Sequence, residues 1–416
     1  MKLHLSGPPT SILSSKIKIT GSKSESNRLL ILQALYPDLR IENLSNADDV
    51  KVMRNGLRIS KGEVDIHHAG TAMRFLTAYF ASREGTDIVL TGSSRMQERP
   101  IKVLVDALRK LGADIQYLRN EGYPPLHIKG RQLTLEQVSL PANISSQFIS
   151  ALLLIAASLP NGLVIELLGE ITSVPYINMT LSLLETLGIQ TTFIGNTIEV
   201  HSMKTAKPTK VVVESDWSSV SYFYSIVALS DPGTQLEISS YTADSLQGDR
   251  ILAQIYTHFG VETAFKGKAL HLFKRSEVTG KIDKNGAEQL LSLNLADAPD
   301  IAQTIVVTCF GLGIGCHLSG LHTLKIKETD RLEALKNELT KLGANVMVSE
   351  KDLTLAAGGC IKKEVTIETY NDHRMAMAFA PLAMKTTLFI NDAGVVSKSY
   401  PDFWNDLKTL NFEISS

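Results

Sequence analysis

Cysteine is scarce in this 416-residue chain: three residues, Cys309, Cys316 and Cys360, with no CxxC pair and no metal-ligand spacing. A disulfide scaffold or a structural zinc is therefore not expected, and the default setting is a reducing, cytoplasmic one. Cys309 and Cys316 fall in the apolar run "IVVTCFGLGIGC", where thiols behave as small buried hydrophobes. Long hydrophobic runs are also missing. The longest, "FISALLLIAASL" (148–159), is too short to cross a bilayer, and the opening "MKLHLSGPPT" has no apolar core of a secretion signal. Neither sign of charge dominates. With 42 Lys and Arg against 43 Asp and Glu, no global basic field draws in nucleic acid or an anionic membrane. Aromatic residues are only 6% of the chain, so the stacking platforms of a nucleic-acid binder are missing too. No GxSxG marks a hydrolase elbow.

What is present is a weak internal repeat in a chain long enough for two or three domains. Helix-like segments that stop at a glycine and run into a β-like segment recur: "LVDALRKLGADIQYL", "LSLLETLGIQTTFI", "LAQIYTHFGVETAF" and "LKNELTKLGANVMV". Their stop glycines are Gly112, Gly188, Gly260 and Gly343, spaced 72 to 83 residues apart. A fifth copy, "FWNDLKTLNFEIS", has Asn411 in the glycine's place, and a fainter sixth is "VMRNGLRISKGEVDI". One copy is ordinary α/β grammar; four close ones point to duplication. Other helices begin with a polar cluster and continue almost wholly apolar, as in "SSQF" into "ISALLLIAAS", "NDHR" into "MAMAFAPLAM" and "ADAPD" into "IAQTIVVTCF". A helix apolar on every face must be buried on every face. These helices are therefore expected inside their domains, wrapped by sheets, with anion-attracting N-terminal ends emerging together.

The polar clusters carry the chemistry. "GSKSESNR" (21–28) follows a β-like segment and precedes a helix, but no glycine stands where GxxxxGK[ST] needs one, so it is not a nucleotide P-loop. "AGTAMR" (69–74), "SSRMQERP" (93–100), "SSQ" (145–147), "IKETDR" (326–331), "NDHR" (371–374) and "SKS" (397–399) repeat the design. Together they hold nine cations: Lys23, Arg28, Arg74, Arg95, Arg99, Lys327, Arg331, Arg374 and Lys398. In a chain with no net positive charge, that concentration points to a small, highly charged anionic ligand. Each cluster taken singly also reads as a capped, solvated helix start. Among the carboxylates, Asp300 heads a buried-type helix, Glu328 lies inside "KETDR", and Asp216 suits an N-cap. Two separated carboxylates beside a lysine suit addition–elimination, one taking a hydroxyl proton and the other handling a carbon proton.

In this order the clusters resemble the 5-enolpyruvylshikimate-3-phosphate synthase family. "GSKSESNR", "AGTAMR", "RMQERPI", "SSQF", "SVPY", "PDIAQT", "KETDR", "YNDHRMAM" and "SKSYPDF" match its motifs from about residue 21 to 403. The resemblance implies an α/β fold of two domains, each of three βαβαββ repeats with helices inside and sheets outside. Residues 1–20 with 214–416 would form one domain, on the phosphoenolpyruvate side. Residues 21–213 would form the other, on the shikimate 3-phosphate side, with the active site in a closing cleft. The implied reaction moves the enolpyruvyl group of phosphoenolpyruvate to the 5-hydroxyl of shikimate 3-phosphate and releases phosphate, with no metal or organic cofactor. Carried over by position, Lys23, Ser24, Arg28, Ser145, Ser146, Gln147, Ser173, Asp300 and Lys327 would contact shikimate 3-phosphate, with Tyr176 in support. Lys23, Gly70, Arg99, Gln147, Arg331, Arg374 and Lys398 would contact phosphoenolpyruvate. Lys23, Asp300 and Glu328 would do the chemistry: Asp300 as base for the 5-hydroxyl, Glu328 for the methylene proton, Lys23 stabilising charge. The resemblance further implies a monomer that binds neither nucleic acid nor membrane.

The chain departs from the family pattern at Phe75, where proline is common, at His68, where asparagine is frequent, and at Thr323, where many members have an asparagine on the shikimate side. Retained Gly70 implies sensitivity to glyphosate. Two other readings stand beside this one. The sibling UDP-N-acetylglucosamine enolpyruvyl transferase carries a reactive cysteine in a mobile loop, whereas "GSSRMQERP" here has none. The second is a phosphate-binding scaffold without chemistry, against which Lys23, Asp300 and Glu328 all stand.

Overall fold

The computed structural model of the protein describes residues 1–142, 145–276, 278 and 290–416. The chain forms two compact units: Gly21–Val213, and Met1–Thr20 together with Glu214–Ser416. Each has its own apolar core.

In Gly21–Val213 the helices Lys23–Leu35, Gly70–Ala81 and Ser146–Ala156 pack on one another. Gly70–Ala81 and Ser146–Ala156 are apolar nearly all round, Lys23–Leu35 turns apolar after its polar first turns, and sheet residues bury all three from outside. One sheet takes the strands Lys61–Asp65, Asp87–Thr91, Leu126–Lys129 and Asp114–Tyr117 in that order. Its first pair is parallel and the next two pairs antiparallel. The strands Gln137–Pro141, Leu163–Leu168, Thr197–Val200 and Thr191–Ile194 repeat that order and sense. Alternate residues such as Ile88, Leu90, Ile165 and Leu167 point into the core, the period-2 pattern of a sheet covered on one face. The third sheet keeps only its parallel pair, Thr209–Val212 with Leu39–Glu42. After the helix Asp48–Gly56 the chain starts the next sheet at Lys61, leaving no residues for a second hairpin.

The other unit packs the helices Trp217–Leu229, Ala302–Leu312 and His373–Phe379 together in the same way. Its three sheets are four-stranded with the same order and sense. One of them, Val365–Ile367, Leu388–Ile390, Leu3–Ser6 and Glu413–Ser415, is completed by the N-terminal strand. Leu3–Ser6 pairs antiparallel with Glu413–Ser415, His4 opposite Ser415. Both chain ends thus stand where the other repeats have a hairpin turn.

The stop residues of the sequence repeat share one backbone state. Gly112, Gly188, Gly260, Gly343 and Asn411 all have φ between 63° and 105°, the left-handed region that ends a helix. Gly56 in the sixth, faint copy differs. It lies within its helix, and a Cβ there would meet Leu76 Cδ1 at 2.8 Å, so this glycine serves close packing. Cys309 and Cys316 are buried, and burial holds the Cys309 thiol well above its usual range; Cys360 is exposed. No helix of the described residues is long and apolar enough to cross a membrane.

Because Ser415 pairs with His4, the four residues Ser416, Met1, Lys2 and Leu3 suffice as a short hairpin loop. A permutant joining Ser416 to Met1, reopened at the exposed turn Gly267–Lys268, should fold with a thermal midpoint within about 5 °C of the parent. Loss of cooperative unfolding by circular dichroism would show that the seam is not equivalent to a hairpin.

Candidate active site

Two sets of polar side chains gather at helix starts, one in each unit. In Gly21–Val213, Ser22 caps the helix Lys23–Leu35, its hydroxyl accepting from Glu25 N at 3.5 Å. Lys23 opens that helix, with Nζ 3.3 Å from Asp49 Oδ2. Arg28 lies one turn in and is buried. Its Nε donates to Thr180 Oγ1 (2.7 Å), Nη1 to the Ser24 carbonyl (3.0 Å), and Nη2 to Ser150 Oγ (3.0 Å) and the Tyr176 carbonyl (3.2 Å). The Phe75 and Tyr176 rings lie 5.4 and 5.9 Å from its guanidinium carbon. Burial pulls its pKa down to about 10, with Tyr176 and Glu25 opposing, so it stays cationic at neutral pH. Phe75, the departure from the family's proline, therefore faces this arginine.

Gly70 opens the helix Gly70–Ala81 against Arg99, and a Cβ at Gly70 would lie 2.6 Å from Arg99 Nη1. Ser145 caps the helix Ser146–Ala156, accepting from Gln147 N at 3.3 Å, and Gln147 Nε2 donates to Thr71 Oγ1 at 3.5 Å. Ser146 is buried beside them. Ser173 precedes the helix Val174–Thr186 with φ 56°, a left-handed state costly for a non-glycine residue. His68 Nδ1 meets Ser93 Oγ at 2.9 Å. Two of the nine cations have other work. Arg74 donates to the Gly70 and Pro100 carbonyls, bracing the segment that carries Arg99. Arg95 lies at the surface, paired with Glu98 at 3.1 Å.

In the other unit, Asp300, Lys327, Glu328, Arg331 and Arg374 form one network. Arg331 is 2% exposed at the start of the helix Arg331–Leu342, whose N-cap is Asp330. Its Nε donates to Asp372 Oδ2 (2.6 Å), Nη1 to Asp300 Oδ1 (2.8 Å), and Nη2 to Glu328 Oε2 (2.9 Å). Burial lowers its pKa, but Asp372, Glu328 and Asp300 outweigh that and hold it above the ordinary value. Arg374 donates from Nη1 to the Asp300 carbonyl (3.0 Å), and from Nη2 to Asp300 Oδ2 (3.1 Å) and Ser218 Oγ (3.2 Å). Lys327 Nζ is 3.4 Å from Asp300 Oδ1. Burial lowers the Lys327 pKa, with Asp300 opposing and Arg331 reinforcing. Lys398 donates to the Asn371 carbonyl at 2.6 Å, one residue before Asp372. Thr323 is buried five residues before Glu328. Asp216 caps Trp217–Leu229, accepting from Ser219 N at 2.8 Å.

Several participants escape a reading of the sequence. Asp49, Ser150 and Thr180 lie in helices outside the polar clusters, and only the fold brings them to Lys23 and Arg28. Asp372 stands in the quoted "NDHR", yet its service to Arg331 spans 41 positions of chain. Asp249 and Ser218 join the network from the turn Gly248–Ile251 and the helix Trp217–Leu229.

Chemically, the second network is a set of carboxylates and cations near charge balance. An incoming anion competes with the protein carboxylates for these cations, which favours a polyanion. Asp372 is fully buried and both pairs Arg331 and caps His373–Phe379 by accepting from Arg374 N at 2.8 Å. Replacing it with alanine should cost about 3–5 kcal/mol, read by urea denaturation. Asparagine should cost less, since it still caps.

A family model described as EPSP synthase (3-phosphoshikimate 1-carboxyvinyltransferase) matches residues 56–407. A 3-phosphoshikimate 1-carboxyvinyltransferase of Bacteroides fragilis is 44% identical over 418 residues, covering 100% of this chain and 99% of its own length. One from Haemophilus influenzae is 34% identical over 442 residues, covering 97% and 98%. Among solved structures, an EPSP synthase from Acinetobacter baumannii superposes over the full length of both chains with a TM-score of 0.77 at 20% identity. The enolpyruvyl transferase NikO from Streptomyces tendae gives 0.73 at 14% identity, covering 100% of this chain and 98% of its own. At those identities the structures speak for the fold: an α/β enolpyruvyl transferase fold. The family match and the full-length relatives speak for descent, and the chain belongs to the EPSP synthase (3-phosphoshikimate 1-carboxyvinyltransferase) family.

Proposed function

We infer that the protein transfers the enolpyruvyl group of phosphoenolpyruvate to the 5-hydroxyl of shikimate 3-phosphate and releases inorganic phosphate. Family membership supports the reaction, and the observation that carries the assignment of roles is Asp300. Its carboxylate is held by Arg331, Arg374 and Lys327 together, with Glu328 on the same Arg331. A carboxylate among cations ionises readily and accepts a proton once a substrate anion takes those cations away.

On this reading Asp300 takes the 5-hydroxyl proton as that oxygen bonds to C2 of phosphoenolpyruvate. Glu328 gives a proton to the methylene carbon, forming a methyl group. Phosphate then leaves C2 with its bridging oxygen, and a carboxylate removes one methyl proton to restore the double bond. Lys23 stabilises the charge that shifts onto the departing phosphate. Ser24, Arg28, Ser145, Ser146, Gln147, Ser173 and Lys327 hold shikimate 3-phosphate, with Tyr176 fixing Arg28. Gly70, Arg99, Gln147, Arg331, Arg374 and Lys398 hold phosphoenolpyruvate through its phosphate and carboxylate, groups that guanidinium forks fit bidentately. The protein works as a cytoplasmic monomer in this reading. UDP-N-acetylglucosamine as acceptor is disfavoured by the absence of cysteine from residues 92–100.

Phosphate should appear only when both substrates are supplied. Asp300→Asn and Glu328→Gln should each lower kcat by at least about 100-fold. Rates within twofold of the parent would remove those two residues from the chemistry. Gly70→Ala places a methyl group against a buried but movable guanidinium. It should fold with an unchanged thermal midpoint while KM for phosphoenolpyruvate rises about tenfold, roughly 1.4 kcal/mol of lost binding. An unchanged KM would take Arg99 out of the phosphoenolpyruvate site.

A further inference from the structure

Asp249 has no part in the reaction as written, yet it is joined to it. It lies in the turn Gly248–Ile251, is 3% exposed, and accepts a hydrogen bond from the Ser218 hydroxyl through Oδ2. Its other oxygen, Oδ1, is buried with no hydrogen-bond partner among the described residues. The Ser218 oxygen accepts in turn from Arg374 Nη2 at 3.2 Å, and the same nitrogen donates to Asp300 Oδ2 at 3.1 Å. The chain therefore runs Asp249, Ser218, Arg374, Asp300, with a carboxylate at each end.

A serine hydroxyl has one proton to give. An ionised carboxylate can only accept, so Asp249 commits the Ser218 proton to itself and leaves the serine lone pairs for Arg374. A buried carboxylate with one unmatched oxygen is costly, so the arrangement is not explained by stability. We propose that Asp249 is a positioning residue for Arg374, acting through Ser218 to keep the guanidinium in its pose when Asp300 exchanges it for the substrate anion. This rests on the reading of Arg374 as a phosphoenolpyruvate contact. While Asp300 holds Arg374, two acceptors fix Nη2; once it lets go, Ser218 remains, and only while Asp249 keeps its proton turned away.

The groups facing Asp249 are Arg374, Asp300, Asp216 and the Ser218 hydroxyl. Burial raises its pKa to about 6; Arg374 and the Ser218 hydrogen bond pull down, while Asp300 and Asp216 push up. Charge on Asp249 is thus disfavoured by the fold, and the folded protein loses stability as pH rises from the ordinary carboxylate range through about 6. Removing that charge relieves the protein above pH 6 while loosening Arg374.

The test compares wild type with Asp249→Asn, Asp249→Ala and Ser218→Ala from pH 5.5 to 8.5, measuring kcat, both KM values and thermal midpoints. Near pH 8, Asp249→Asn should raise KM for phosphoenolpyruvate about tenfold with kcat and KM for shikimate 3-phosphate within threefold. Its thermal midpoint should equal or exceed that of wild type. The ratio of the two phosphoenolpyruvate KM values should shrink toward one below pH 6, where wild-type Asp249 is itself neutral. Ionisation of the substrate's phosphate cancels in that ratio. Ser218→Ala should raise the same KM with no such convergence. Arg374→Lys serves as the control on the underlying reading: if it leaves KM for phosphoenolpyruvate unchanged, the role of Arg374 fails. If Arg374→Lys raises that KM but Asp249→Asn and Asp249→Ala match wild type across the range, or shift it only alongside a fallen thermal midpoint, the positioning role fails alone.

Discussion

A guanidinium buried to 2% exposure, as that of Arg331 is, needs anionic partners on more than one side. Asp372, Asp300 and Glu328 supply them, and each of the three has a second duty. Asp372 caps the helix that carries Arg374, Asp300 also holds Arg374 and Lys327, and Glu328 is the proposed carbon acid–base group. Deleting any one leaves a buried charge short of compensation while shifting a neighbour in the reaction. Stability and the proposed chemistry in this unit therefore rest on the same few atoms. The network is also poised for exchange, since its cations are satisfied by carboxylates that a substrate phosphate or carboxylate can replace.

This arrangement depends in turn on a constraint of the fold. Helices such as Ser146–Ala156 and Ala302–Leu312 are apolar on nearly every side, so their flanks pack on neighbouring helices and sheets. Charged side chains then gather chiefly at the helix starts. Three such helices packed together in each unit put three starts within reach of one another. Hence Thr71 meets Gln147 across two helices, and Ser218, Asp300 and Arg374 meet across three segments.

Much of this was legible in the sequence because both signals are local. The switch from a polar cluster to a uniformly apolar run identifies buried helices, and glycine at a fixed place after an amphipathic helix identifies the repeat. The quoted clusters named the cations. What stayed hidden is pairing at long range. No periodicity tells that Asp49 answers Lys23, that Thr180 answers Arg28, or that Arg74 props a loop while Arg99 presents its guanidinium beside Gly70. Nor could spacing reveal that Leu3–Ser6 completes the last sheet, because its partners lie at the far end of the chain. Residues of one helix start are read together; residues that meet because three helices meet are not.

Strain marks the same places. Non-glycine residues with positive φ include His67, three positions before Gly70; Ser173, capping the helix that carries Tyr176; and Tyr370 and Asn371, just before Asp372. Asp392 precedes the turn that ends at Lys398. Each left-handed residue costs on the order of 1–3 kcal/mol and persists only where its surroundings over-determine it. The glycines that stop the repeat helices adopt the same backbone state without that penalty, and they stand away from the site clusters. The chain therefore mostly uses glycine where the turn is only architectural, Asn411 being an exception among the repeat stops. It retains side chains at several costly turns beside the clusters, where the backbone's direction decides where an arginine or serine will point.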